Sequence, residues 1–248
     1  MRWAANTSTG LVRKLNEDSA YAGRWLYAVA DGLGGHVAGE VASATVVDSI
    51  RGCDKEVSPA ALADALGQAI AQANAQLAVK IRQDPQLDGM GTTLTAMLRS
   101  GDRAVLAHIG DSRAYLLRAG KLRPLTEDHT LGNLVTGISA SRAPVITRFL
   151  DGQPSRSLDL TAHELSAGDR YLLCSDGLSG VVEIEAIREV LVSSTSATAA
   201  VDELIAQAME AGGPDNITVI VVDVAGESAG EQAGERSAPV VLLAAEPG

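Results

Sequence analysis

The sequence predicts a layered α+β protein. Short apolar runs closed by Asp-Gly, Asp-Ser or Gly-Pro alternate with amphipathic stretches long enough for helices. The chain shows no internal repeat of about 20–50 residues, which sets solenoids and propellers aside. It has 248 residues, 46% hydrophobic and 21% charged, enough for one domain with a sizeable core. Only 3% of residues are aromatic, so Ala, Val, Leu and Ile must fill that core.

Residues 25–30 (WLYAVA) form an apolar run closed by Asp31-Gly32, which reads as a buried strand. From 39 to 50, Val41, Ala44, Thr45 and Val47 recur at helical spacing. Ser58-Pro59 reads as a helix start, a Ser N-cap with Pro at the first position. The helix then runs toward Asp84-Pro85, with Leu62, Leu66, Ile70, Leu77 and Ile81 on its buried face. Residues 92–98, 104–109 and 114–118 read as three strands, with Ala119-Gly120 as a hairpin turn before Leu122. The stretch 126–168 has weak periodicity and reads as a long surface loop with some short structure. A strand at 171–174 ends at Ser175-Asp176-Gly177. Helices follow at 184–192 and 197–211, the second stopped by Gly212-Gly213-Pro214. Residues 217–224 (ITVIVVDV) form a last buried strand. The segment 226–248, rich in Ala, Gly, Glu and Ser, reads as a disordered acidic tail: Glu227, Glu231, Glu235 and Glu246 stand against Arg236. Its VVLLAA run is too short to anchor in a membrane.

The formal net charge is −11, with 31 acidic and 20 basic residues, which disfavours nucleic acid and anionic lipid as partners. The two cysteines, Cys53 and Cys174, make no disulfide framework. No run approaches a spanning helix, and MRWAANTSTG has no apolar leader core, so the expected compartment is the cytoplasm.

Four acidic segments share one design, an Asp beside Gly or Ser at the end of an apolar strand. They are Asn16-Glu17-Asp18, Asp31-Gly32, Gly110-Asp111-Ser112 and Ser175-Asp176-Gly177; a fifth, Pro214-Asp215-Asn216, precedes a strand. Each alone is an ordinary turn or cap. Together, strand ends in a packed sheet converge on one rim, and converging carboxylates repel unless a cation lies among them. Hard oxygen ligands suit Mg²⁺ or Mn²⁺ rather than Zn²⁺. His36, His108, His129 and His163 form no HxxxH or HExxH spacing.

The residues then resemble a known family. RKLNED (13–18), VADGLGGH (29–36), GMGTTLTA (89–96), HIGDSRAYLLRAGKL (108–122), LTEDHT (125–130), GDRYLLCSDGL (168–178) and GGPDNITVIVVDV (212–224) occur in order. This is similar to the bacterial metal-dependent protein phosphatases, the type 2C Ser/Thr (PPM) family, across residues 5–224. The resemblance implies a four-layer αββα sandwich, two antiparallel sheets flanked by helix pairs, occupying 1–225 with a flap at about 126–156. It implies a hydrolase holding two core Mn²⁺ or Mg²⁺ ions and a third, weaker one. Asp31 would bridge the core ions and the Gly32 carbonyl would bind one. Asp176 and Asp215 would complete the first ion's ligands, and Asp18 or Glu17 would serve the second. Asp111 would help hold the third, with Asp176 nearby. Arg13 would grip the substrate phosphate with its planar fork of donors. A metal-activated water would attack phosphorus in line without a phosphoenzyme. The partners implied are phosphoserine and phosphothreonine proteins, including a Ser/Thr kinase in signalling, served by a monomer.

The sequence departs from the family pattern at two places. Leu33 stands where some relatives have a leaving-group His, and His36 is read as a structural or surface residue, so a metal-bound water would protonate the leaving oxygen. The flap after Asp128-His129-Thr130 is shorter than usual, which bears on substrate choice and the third metal. The sequence opposes three other readings: a binding module of the same fold with degenerate catalysis, by the presence of Asp31, Asp176 and Asp215; a structural acidic protein of turns or Ca²⁺ loops, by the lack of EF-hand spacing; and a two-metal nuclease, by the charge.

Overall fold

The computed structural model describes residues 1–33, 38–131, 145–154, 157–225 and 239–244. The strands among the described residues are β1 (Arg2–Ser8), β2 (Asp18–Ala22), β3 (Leu26–Leu33), β4 (Gly91–Thr92), β5 (Leu94–Ser100), β6 (Arg103–Ile109), β7 (Arg113–Arg118), β8 (Lys121–Pro124), β9 (Asp159–Glu164), β10 (Arg170–Cys174), β11 (Ile217–Asp223) and β12 (Val240–Leu242). The helices among the described residues are α1 (Gly39–Ile50), α2 (Leu62–Gln83), the one-turn α3 (Asp176–Ser179), α4 (Ile184–Ser193) and α5 (Ala197–Glu210).

One sheet has five strands in the order β1-β11-β10-β7-β8, and the other has seven, β12-β2-β3-β5-β6-β9 with β4 paired to β3. Every strand pair among the described residues is antiparallel. The central strands are apolar on both faces because both faces are covered. In β3, Tyr27 and Val29 point between the sheets while Leu26, Ala28 and Ala30 point to α1 and α2. In β11, Ile220 and Val222 point between the sheets while Ile217, Val219 and Val221 meet α4 and α5. Three apolar layers therefore separate four layers of secondary structure, αββα, as the sequence resemblance implies. Small side chains such as Ala20, Ala22 and Ala104 let the sheets approach, and Trp3 sets its ring edge-on to Tyr27 at 6.0 Å.

The hairpin at Ala119-Gly120 has φ of 51° and 74°, the left-handed pair of a type I′ turn. Other expectations shift. The buried strand starts at Leu26, not Trp25, and runs on to Leu33. Ser58 makes no side-chain cap; a 3₁₀ turn at Pro59–Ala61 intervenes, and the Ser58 carbonyl accepts from Ala61 N–H at 2.9 Å. The stretch 126–168 contributes an edge strand, β9, paired along β6. Residues 132–144 and 155–156 of the expected flap, and 226–238 and 245–248 of the expected tail, lie outside the described residues. The disordered-tail expectation is corrected at 239–244, where Val240–Leu242 adds a strand to β2. An apolar run beside an open sheet edge gains ladder hydrogen bonds that composition does not foretell.

Candidate metal centre

The two sheets deliver their acidic residues to one rim. Asp18 opens β2 and Asp31 lies near the end of β3; the strands are antiparallel, so the two are direct register partners. Register partners on one face stand about 5 Å apart at Cβ. Asp18 is thus at a strand start, not the strand end the motif suggested. Asp31-Gly32 is no turn either, because Gly32 pairs with Thr92 and Leu33 with Gly91. Asp111 sits in the tight connection from β6 to β7. Asp176 opens α3 directly after β10, and Asp215 precedes β11.

Close backbone packing explains the glycines. A Cβ on Gly32 would stand 2.3 Å from the Gly39 carbonyl oxygen and 2.7 Å from that of Glu17. A Cβ on Gly177 would stand 2.0 Å from the Asn216 carbonyl oxygen. Gly110, at φ +114°, would meet Thr93 at 2.5 Å.

These carboxylates feel one another through a poorly solvated rim. Burial, then Asp18, Asp176, Asp111 and Asp215, hold Asp31 well above the usual carboxylate range. Burial lifts Asp18 to about 7 against hydrogen bonds from Thr218 and Ser175. Burial, Asp176 and Asp128 lift Asp111 to about 7. Asp176 is raised by burial and Asp215, and Glu17 by burial and Glu40. Such shifts mark a place that would bind a cation with net gain.

Among the described residues, no three acidic, His or Cys side chains close a coordination sphere by themselves. Arg13 donates instead to Asp215 Oδ2 at 2.7 Å and lies 3.8 Å from Glu17. The residues nonetheless fit divalent ions. Buried Oδ1 atoms of Asp18, Asp111 and Asp176 have no hydrogen-bond partner. A buried carboxylate oxygen without a donor is costly, and hard oxygen donors without nitrogen or sulfur are the set that Mg²⁺ and Mn²⁺ prefer. Asp18, Asp31, Asp111, Asp176, Asp215 and Glu17 are thus brought to one rim with Gly32 and Arg13. His36 lies outside the described residues.

Supporting residues escaped the motif reading. Ser175 donates to Asp18 Oδ2 at 2.7 Å and accepts from Thr218 N–H at 2.9 Å, tying β2 to the other sheet. Asn216 Oδ1 accepts from Glu17 N–H at 2.8 Å, and its amide donates to the carbonyls of Leu15 at 2.9 Å and Thr9 at 3.0 Å. Thr93 accepts from Asp31 N–H at 3.0 Å and meets Ser112 at 2.8 Å. His129 accepts from Gly110 N–H at 3.1 Å, steadying the Asp111 connection. Ser175 and Asn216 stood in plain view as turn residues, but their partners lie 157 and 199 residues away.

Comparison with known proteins identifies the family. The family model described as Protein phosphatase 2C matches residues 13–218. Serine/threonine protein phosphatase PstP of Mycobacterium tuberculosis is 46% identical over 233 residues, 90% of this chain and 45% of that protein, so the chain spans less than half of that relative. Serine/threonine phosphatase stp of Listeria welshimeri is 34% identical over 235 residues, 88% of this chain and 93% of that protein. The crystal structure of the catalytic domain of PstP in complex with two manganese ions aligns with a TM-score of 0.84 at 45% identity, covering 91% of this chain and 98% of that one. The chain belongs to the protein phosphatase 2C family.

Proposed function

We propose that this chain is a metal-dependent phosphatase that hydrolyses phosphoserine and phosphothreonine in proteins, opposing a Ser/Thr kinase. The observation that carries the reading is the group of buried, partnerless carboxylate oxygens on Asp18, Asp111 and Asp176 in a chain of this family. Asp31 would bridge two Mn²⁺ or Mg²⁺ ions, with the Gly32 carbonyl, Asp176 and Asp215 completing one set and Asp18 or Glu17 the other. Asp111, beside Asp176, would contribute to a third, weaker site. Divalent ions held there would supply water acidic enough to act as hydroxide near neutral pH.

The chain's own residues do the rest. Arg13 is part-exposed at the rim, so its planar fork can leave Asp215 and take two phosphoryl oxygens of an incoming monoester. That grip orients phosphorus for in-line attack and offsets charge on the equatorial oxygens. Asn216 holds the backbone at Thr9, Leu15 and Glu17, and so fixes where Arg13 can reach. Cys174 is fully buried in β10 and takes no part. No helix among the described residues is long and apolar enough to cross a membrane. We place the chain in the cytoplasm as a monomer acting in signalling.

Hydrolysis of a phosphothreonine peptide and p-nitrophenyl phosphate, with Mn²⁺, Mg²⁺ or EDTA, tests the reading. Turnover that requires metal supports it. A folded protein inactive with every metal overturns it in favour of a binding module on the same fold.

A further inference from the structure

The apolar run near the C-terminus has no part in the activity just described, yet it sits against the metal rim. β12 is the outermost strand of its sheet, and without it β2 would be the edge. Val240 pairs with Ala22, Val241 with Tyr21 and Leu242 with Ala20, so the strand runs toward Asp18. Leu242 packs on the core between the sheets, which includes Ala20 and Ala22. Leu243 lines a cavity beside Thr45 and Asp48 of α1 and Gln76 and Lys80 of α2.

Beyond the ladder lies a chain of buried hydroxyls. Ala244 N–H donates to Ser19 Oγ at 3.0 Å. Ser19 Oγ lies 3.0 Å from Ser43 Oγ, and Ser43 Oγ donates to the Glu17 carbonyl at 2.5 Å. Each hydroxyl has one hydrogen, which fixes the direction. Ser43 spends its hydrogen on Glu17, so Ser19 must donate to Ser43, and Ser19 is left to accept from Ala244. Ser43 also lies 3.3 Å from the Glu40 carbonyl, a longer and weaker alternative. The Glu17 carbonyl at the end of the relay also accepts from Gly32 N–H at 3.2 Å. Glu17, Asp18 and Gly32 all belong to the proposed metal centre.

We propose that residues 239–244 are a strap, folded back from this chain's own C-terminal segment, that sets the metal-bearing backbone at Glu17–Asp18 through the relay Ala244–Ser19–Ser43–Glu17. Hydroxyl chains of one direction strengthen along their length, so loss of the first donor is felt at the last acceptor. Coupling between strap and metal must also be reciprocal. The metal half of this inference rests on the proposed function; the strap half does not.

Amide hydrogen exchange in EDTA, followed by Mn²⁺ titration calorimetry, separates the two halves. Deleting residues 239–248 should speed exchange at the β2 amides by tenfold or more. Ala244→Pro removes the donor but also fixes φ there, so Ser19→Ala, which breaks the relay with β12 still protected, is its control. Each should weaken Mn²⁺ binding about fivefold, the worth of one net hydrogen bond. In the wild type, saturating Mn²⁺ should slow exchange at 240–244. Unchanged β2 exchange after the deletion, or unchanged Mn²⁺ affinity in both point variants, overturns the proposal. A wild type that binds no Mn²⁺ but whose β2 amides depend on the deletion refutes the metal centre and upholds the strap.

Discussion

Asn216→Ala should damage the site without touching a carboxylate. The Asn216 side chain is buried and all of its polar atoms are used. It accepts from Glu17 N–H at 2.8 Å and donates to the carbonyls of Leu15 at 2.9 Å and Thr9 at 3.0 Å. Each such bond contributes about 1 kcal/mol net, and orphaning the Glu17 N–H adds a desolvation cost of similar size. Part of the 9–17 segment is exposed, and water can replace some of the lost partners there. The expected loss is therefore about 2–3 kcal/mol in urea unfolding with EDTA present. The same loosening frees Arg13, so KM for p-nitrophenyl phosphate should rise more than kcat falls. Asn216→Asp keeps the acceptor for Glu17 but loses both donated bonds and adds charge beside Asp215; it should be no better than Ala. An Ala variant within 0.5 kcal/mol of wild type, with unchanged KM, would refute the claim that Asn216 organises the rim.

The remaining predictions concern charge and packing. Between about pH 4 and 7 the metal-free native state keeps protons on Asp18 and Asp111, both lifted to about 7 chiefly by burial, that the unfolded chain has released. Stability in EDTA must then fall as pH rises through that window. His108, pushed down to about 4 by burial, works the other way only below about pH 6.5. Thermal unfolding in EDTA should show Tm dropping from pH 6.5 to 7.5, and saturating Mn²⁺ should abolish the drop; a Tm that rises over that interval in EDTA would contradict it. Gly177→Ala would place a Cβ 2.0 Å from the Asn216 carbonyl oxygen, so backbone must move, and Mn²⁺ affinity measured by calorimetry should fall at least tenfold. Wild-type affinity in that variant would show that the α3 and β11 backbones are free to part.

Most of the fold was readable because both faces of the central strands are buried. Runs such as 219–222 are apolar throughout, and α2 keeps its stripe at Leu62, Leu66, Ile70 and Leu77. The acidic segments were readable as a set, through their order and the family they resemble. What stayed hidden depended on distant partners. Asp18 looked like a cap because its partner Asp31 is set by strand register. Ser175 and Asn216 looked like turn residues because their bonds reach the far N-terminal segment. The Val240–Leu242 strand was hidden because its composition matched a tail, and only an open β2 edge makes it a strand.

A binuclear centre is tested by the number of Mn²⁺ ions bound by the wild type and by Asp31→Asn, measured by calorimetry alongside Tm in EDTA. The wild type should bind two ions tightly, and the variant should lose at least one. The variant should also have a higher Tm in EDTA at alkaline pH, where the buried Asp31 would have to ionise among its acidic neighbours. Equal metal stoichiometry in the two proteins, with a lower Tm for the variant at that pH, would contradict a binuclear centre.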